Sequence, residues 1–114
     1  MSFALTTQQF LDRSKTVTRR GGWKFLKSGD IVNGVEKSMG LKKGEKIKRL
    51  GQIRIIDVRP EPLNAITQSD VIKEGFPDWT PEQFIQFFCE ENKTSPDYLV
   101  NRIEFEYLGE LSNG

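Results

Sequence analysis

The sequence predicts one small α+β domain over residues 1–114, built as a curled, mostly antiparallel sheet with two to three helices. Three observations carry this reading. Ile53, Ile55, Ile56 and Val58 form the most β-like run in the chain, and Ile103, Phe105 and Tyr107 alternate with Glu104 and Glu106 as in a half-buried strand. Thr80-Pro81-Glu82-Gln83 supplies the cap, the first-turn proline and the glutamine of a helix capping box. With 36% hydrophobic and 29% charged residues, the composition suits a single core.

In chain order, residues 2–5 read as a first strand. Thr6 and Thr7 offer N-cap hydroxyls to a short helix whose apolar side is Phe10 and Leu11. Residues 15–20, rich in β-branched side chains, read as an extended segment. Gly21-Gly22 is a turn, after which Trp23, Phe25 and Leu26 are placed to cover the core from a loop. Ser28-Gly29-Asp30 turns the chain into a strand at Ile31 and Val32. Residues 36–49 read as an exposed hairpin loop rich in Lys and Gly. The strand beginning at Ile53 is expected to end at Pro60 and Pro62. Residues 65–74 predict a helix stopped by Gly75. In the helix opened by Thr80, Phe84 and Phe88, like Ile85 and Cys89, stand four apart and make an apolar stripe. Phe84, Phe87 and Phe88 are assigned to the core.

Composition narrows the chemistry. No apolar run reaches the roughly 20 residues of a membrane helix, so no membrane partner is expected. The start lacks a secretory pattern, and the single Cys89 suits a reducing compartment, so a cytoplasmic location is expected. With no His and one Cys, no zinc site or other cofactor is predicted. Acid–base chemistry would fall to Lys, Glu, Asp, Tyr, a hydroxyl or water.

The net charge of +1 conceals an asymmetry. Residues 1–60 hold 14 Lys/Arg against 5 Asp/Glu, whereas residues 61–114 hold 3 against 11. Two readings follow: halves that neutralise each other in the fold, or a basic face that meets phosphates.

Three segments together are distinctive. Ser14-Lys15-Thr16-Val17-Thr18-Arg19-Arg20 follows a short helix. Lys27-Ser28-Gly29-Asp30 precedes a strand. Glu74-Gly75-Phe76 ends one helix, with a second helix and the strand at Ile103-Glu104-Phe105 after it. In this order they resemble the ASCH superfamily over nearly the whole chain. The resemblance implies a small PUA-like β-barrel with helices and a cleft where polar residues converge. It implies RNA, a nucleotide or a modified nucleoside as partner. Some small bacterial members are amidohydrolases that remove the acetyl group of acetylcytidine, and the resemblance carries their Lys, Thr and Glu onto Lys15, Thr18 and Glu74. In such a site Thr18 would supply a hydroxyl, a desolvated Lys15 a base, and Glu74 an orienting or protonating group. Lys15 and Thr18 differ by three positions, so bringing them together on a strand requires a bend after Lys15.

The candidate nucleic-acid contacts are Arg19 and Arg20, suited to phosphate by their planar forks, and Lys42, Lys43 and Lys46 of the basic loop. Trp23 and Trp79 are candidate stacking platforms. Each has a plainer counterpart: a surface lysine, a β-forming threonine, an exposed helix end, a solvated loop, aromatics covering a core. The leading expectation is an RNA- or nucleotide-binding domain with a cleft around Lys15, Thr18, Arg20 and Glu74. The alternatives are amidohydrolysis of an acylated cytidine, ribonuclease activity and a protein-interaction role.

Overall fold

The alternating and β-branched runs form the four strands of one antiparallel sheet. In the computed structural model, which describes residues 1–36, 44 and 46–109, these are β1 (Val17–Arg20), β2 (Ile31–Val35), β3 (Arg49–Pro62) and β4 (Leu99–Tyr107). Their order is β1-β4-β3-β2. The sheet curls into a half-barrel with β1 and β2 at its edges, accompanied by α1 (Thr7–Leu11), α2 (Gln68–Lys73) and α3 (Pro81–Asn92).

Parity along β4 separates two cores. Ile103 and Phe105 point to one face, where Phe3, Phe10, Leu26, Ile53 and Ile55 join them. Val100 points to the other and packs with Leu63, Ile66, Val71, Phe84 and Phe88 under α2 and α3. Val58 pairs with Ile103 and Ile55 with Phe105, with a bulge between Ile55 and Asp57 that increases the local bend.

The capping box of α3 forms as the sequence predicts: the Thr80 hydroxyl accepts from Gln83 N–H, and the Gln83 side chain accepts from Thr80 N–H. Gly75, at φ +104°, stops α2 in a conformation that favours glycine. Other elements differ from expectation. Residues 2–5 do not make a strand. Ser2 forms a single parallel bridge to Val35, and the chain then turns through a 3₁₀ segment, Ala4–Thr6, as the Thr7 hydroxyl bonds the Phe3 carbonyl. The expected helix over 65–74 is shorter, because Ile66 is extended and the Thr67 side chain caps the new start by accepting from Asp70 N–H. Pro60 and Pro62 lie within β3 rather than ending it. Pairing with β2 stops at Arg54, so beyond it one side of β3 is a free edge, where a missing N–H is tolerated. Phe87 is half-buried, unlike its neighbours Phe84 and Phe88.

Candidate functional site

Along the outer edge of β1 runs a cleft of ≈ 550 Å³. Lys15, Thr18 and Glu74 all line it, with Trp23, Phe76 and Phe87 as aromatic walls. Local structure explains the convergence. Lys15 stands just before the strand, with its N–H bonded to the Gln9 carbonyl and its own carbonyl accepting from the Tyr107 hydroxyl. Thr16 N–H bonds to the Lys73 carbonyl, which ties this segment to the end of α2, where Glu74 is the C-cap. Because β1 is an edge strand, a cleft along it meets side chains of either parity. No bend inside the strand is needed.

The floor is ionic. Lys15 Nζ lies 2.7 Å from Glu74 Oε1 and 2.9 Å from the Glu74 carbonyl oxygen, and both residues are buried. Burial pushes the Lys15 amine below its ordinary pKa, with the Glu74 carboxylate opposing that shift. The second Glu74 oxygen accepts from Arg19 Nη1 at 3.2 Å.

Arg19 is the hub of a wider network. Its side chain is fully buried and also bonds Glu61 and Asp70. Asp70 in turn receives a two-pronged contact from Arg102, at 2.7 Å from Nε and 3.1 Å from Nη2. The hydrogen bonds from Arg102, with those from Arg19, hold the Asp70 carboxyl well below its usual range. Burial works against the Arg19 charge, yet the surrounding carboxylates outweigh it and hold the guanidinium above its usual pKa.

Arg20 points to the opposite side of the strand. Its Nε donates to the Thr18 hydroxyl oxygen at 3.2 Å and its Nη2 to the Ser2 carbonyl at 2.6 Å, while the guanidinium lies 4.9 Å from the Phe3 ring centre. Burial pushes its pKa down to about 10, so it remains charged at neutral pH. Arg20 therefore fixes Thr18 as an acceptor.

Several expected contacts are corrected. Arg19 and Arg20 are bonded inward and do not present free forks to phosphate. Trp79 stacks on Phe76, with ring centres 4.2 Å apart, and is absent from the cleft wall. Trp23 does line the cleft. Lys42 and Lys43 lie outside the described residues, and Lys46 is exposed and does not line the cleft. The sequence reading missed Glu61, Asp70 and Arg102. Asp70 had a visible local role three residues after Thr67 at a helix start, and strand pairing alone brings Arg102 opposite Arg19.

This geometry defines a half-barrel α+β domain with an edge-strand cleft. The fold is that of the ASCH-domain and DUF984 structures. No protein-family model matches the chain, and no curated protein matches it. Among solved structures it is similar to protein EF3133 from Enterococcus faecalis V583, of family model DUF984, with a TM-score of 0.64 and 23% identity over 91% of this chain and 70% of that one. It is also similar to an ASCH domain from Lactobacillus crispatus JV V101, with a TM-score of 0.60 and 18% identity over 90% of this chain and 70% of that one. At these identities the likeness is one of fold.

Proposed function

We propose that the edge-strand cleft binds a nucleobase, carried by a nucleotide or by RNA. The observation that carries this reading is the buried Lys15–Glu74 pair at 2.7 Å in the same cleft as the rings of Trp23, Phe76 and Phe87. A base asks for flat apolar walls against its faces and fixed donors and acceptors against its edge. Lys15 is a donor, Glu74 an acceptor, and the Thr18 hydroxyl can be either. Calorimetric titration with the nucleoside monophosphates tests the reading. Saturable one-site binding is expected, weakened about 5-fold by Thr18→Val, which keeps the shape and removes one hydrogen bond. Absence of binding to all of them would refute it.

A second reading, hydrolysis of an acylated cytosine, is favoured by a separate observation. Burial favours the neutral Lys15 amine, the form that accepts a proton, and Arg20 donates to the Thr18 oxygen, which favours loss of the hydroxyl proton. Acetate release from acetylcytidine is then expected. Lys15→Arg should abolish it, because arginine cannot act as a base at neutral pH. Turnover that survives Lys15→Arg would exclude this reading. The ribonuclease alternative gains no support, because Arg19 and Arg20 are committed to protein groups.

A further inference from the structure

The cleft has a neighbour. A second hollow of ≈ 480 Å³, floored by Leu26, Ile31 and Val32, lies against it, and both are walled by Trp23 and Phe25. These two rings, with centres 5.5 Å apart, therefore form a ridge between two concave surfaces.

The ridge is held in place. Asn101 Nδ2 donates to the Gly22 carbonyl at 2.9 Å, Leu26 N–H closes a turn onto the Trp23 carbonyl at 3.2 Å, and Leu26 itself is buried. Beyond the ridge, Lys27 N–H bonds Asp30 Oδ2 at 2.9 Å and Gly29 N–H bonds the Ile55 carbonyl at 2.7 Å. Trp23 sits at φ +69°, an uncommon conformation for a non-glycine residue that its surroundings must maintain. On this pinned segment Phe25 is 69% exposed, and Ile31 in the adjoining hollow is 56% exposed. Apolar surface fixed in water on both sides of a ridge suits a flat, apolar-faced ligand group on each side. The exposed Lys24 and Lys27 alternate with these rings along the chain. Aromatic rings interleaved with cations match a single strand of nucleic acid, whose bases stack while its phosphates meet the charges.

We infer that the Trp23–Phe25 ridge separates two successive bases of single-stranded RNA, one in the cleft and the next in the second hollow, with Lys24 and Lys27 at the phosphates. The inference rests on the nucleobase reading of the cleft and specifies its ligand as a strand rather than a free nucleotide.

The test is calorimetric titration of the full chain with an RNA mononucleotide and with the dinucleotide and trinucleotide that contain it. The dinucleotide should bind about 5- to 150-fold more tightly, the effect of stacking one further base. Ile31→Thr, in the second hollow, should reduce that gain and leave mononucleotide affinity unchanged. Replacing Lys24 and Lys27 together with Gln should flatten the log–log salt dependence of dinucleotide binding by about 1.4, at roughly 0.7 per phosphate contact on single strands. These exposed side chains can be changed with little effect on folding, so the double variant remains informative if Ile31→Thr is unstable. Equal affinity for mononucleotide and dinucleotide, or a gain and salt slope unmoved by these variants, would overturn the inference while leaving the cleft reading intact. Failure of every ligand to bind would overturn both.

Discussion

The two faces of the sheet near β1 are held together by different physics. One face meets Phe3, Phe10, Ile103 and Phe105, a dry core with ring centres of Phe3 and Phe10 4.8 Å apart. The other meets charges: Arg19 and Arg102 directly opposite each other in register, with Glu61, Asp70 and Glu74 around them. Burying apolar groups stabilises without geometric demands, whereas burying ions costs desolvation that attraction only roughly offsets. A well-packed apolar cluster could replace such a network at little cost in stability. The charged face is therefore better understood as a support for the Lys15–Glu74 pair, with Arg19 bonded to the carboxylate that Lys15 meets.

Breaking the charged face should have the largest effect. Arg19→Met strips the buried cation from Glu61, Asp70 and Glu74 together, and a loss of about 3–5 kcal/mol is expected in urea unfolding, the range for opening a buried pair. A loss below about 1 kcal/mol would place these carboxylates in water. On the apolar face, Ile103→Val should cost about 1 kcal/mol, because it removes one buried methylene from an otherwise intact core.

Acid should separate the faces further. The folded-state pKa of Asp70 lies below its ordinary 3.8, so in acid the unfolded chain binds more protons than the native one. The Asp70 contribution is complete above the unfolded value and is lost as pH falls toward the folded one. Wild type should therefore lose stability below about pH 5 more steeply than Asp70→Asn, and the gap between them should close toward acid. Parallel curves would show that Asp70 contributes nothing through its charge. The smallest effect is expected at the ridge. Phe25→Ala should change stability by less than about 0.5 kcal/mol, since that ring is 69% exposed.

Much of this arrangement was legible in the sequence, and the parts that were not share a cause. Local signals held: the capping box at Thr80, the stop at Gly75, and the alternation of Ile103, Phe105 and Tyr107. Lys15, Thr18 and Glu74 were singled out through resemblance to a family, and they line one cleft. The direction of Arg19 was not legible, because a charged side chain on an edge strand carries no local sign of whether it meets water or three carboxylates. Trp79 was misread for a similar reason: its partner Phe76 is close in sequence, but only the packing of α3 closes the stack. Pro60 and Pro62 were misread because a proline's compatibility with a strand depends on which strand edge is free. That is a property of the sheet.

The claim at the centre of this account is that the edge of β1 is the ligand-binding surface. Amide NMR during titration with an RNA trinucleotide tests it most directly, because it reports position without assuming a reaction. The account predicts saturable shifts concentrated at Thr18, Gly21, Gly22, Glu74 and Phe76, with the exposed side of α3 around Glu82 and Gln86 unmoved. Saturable shifts centred on the α3 surface or on β3 near Arg54 and Arg59, with the β1 edge silent, would contradict it.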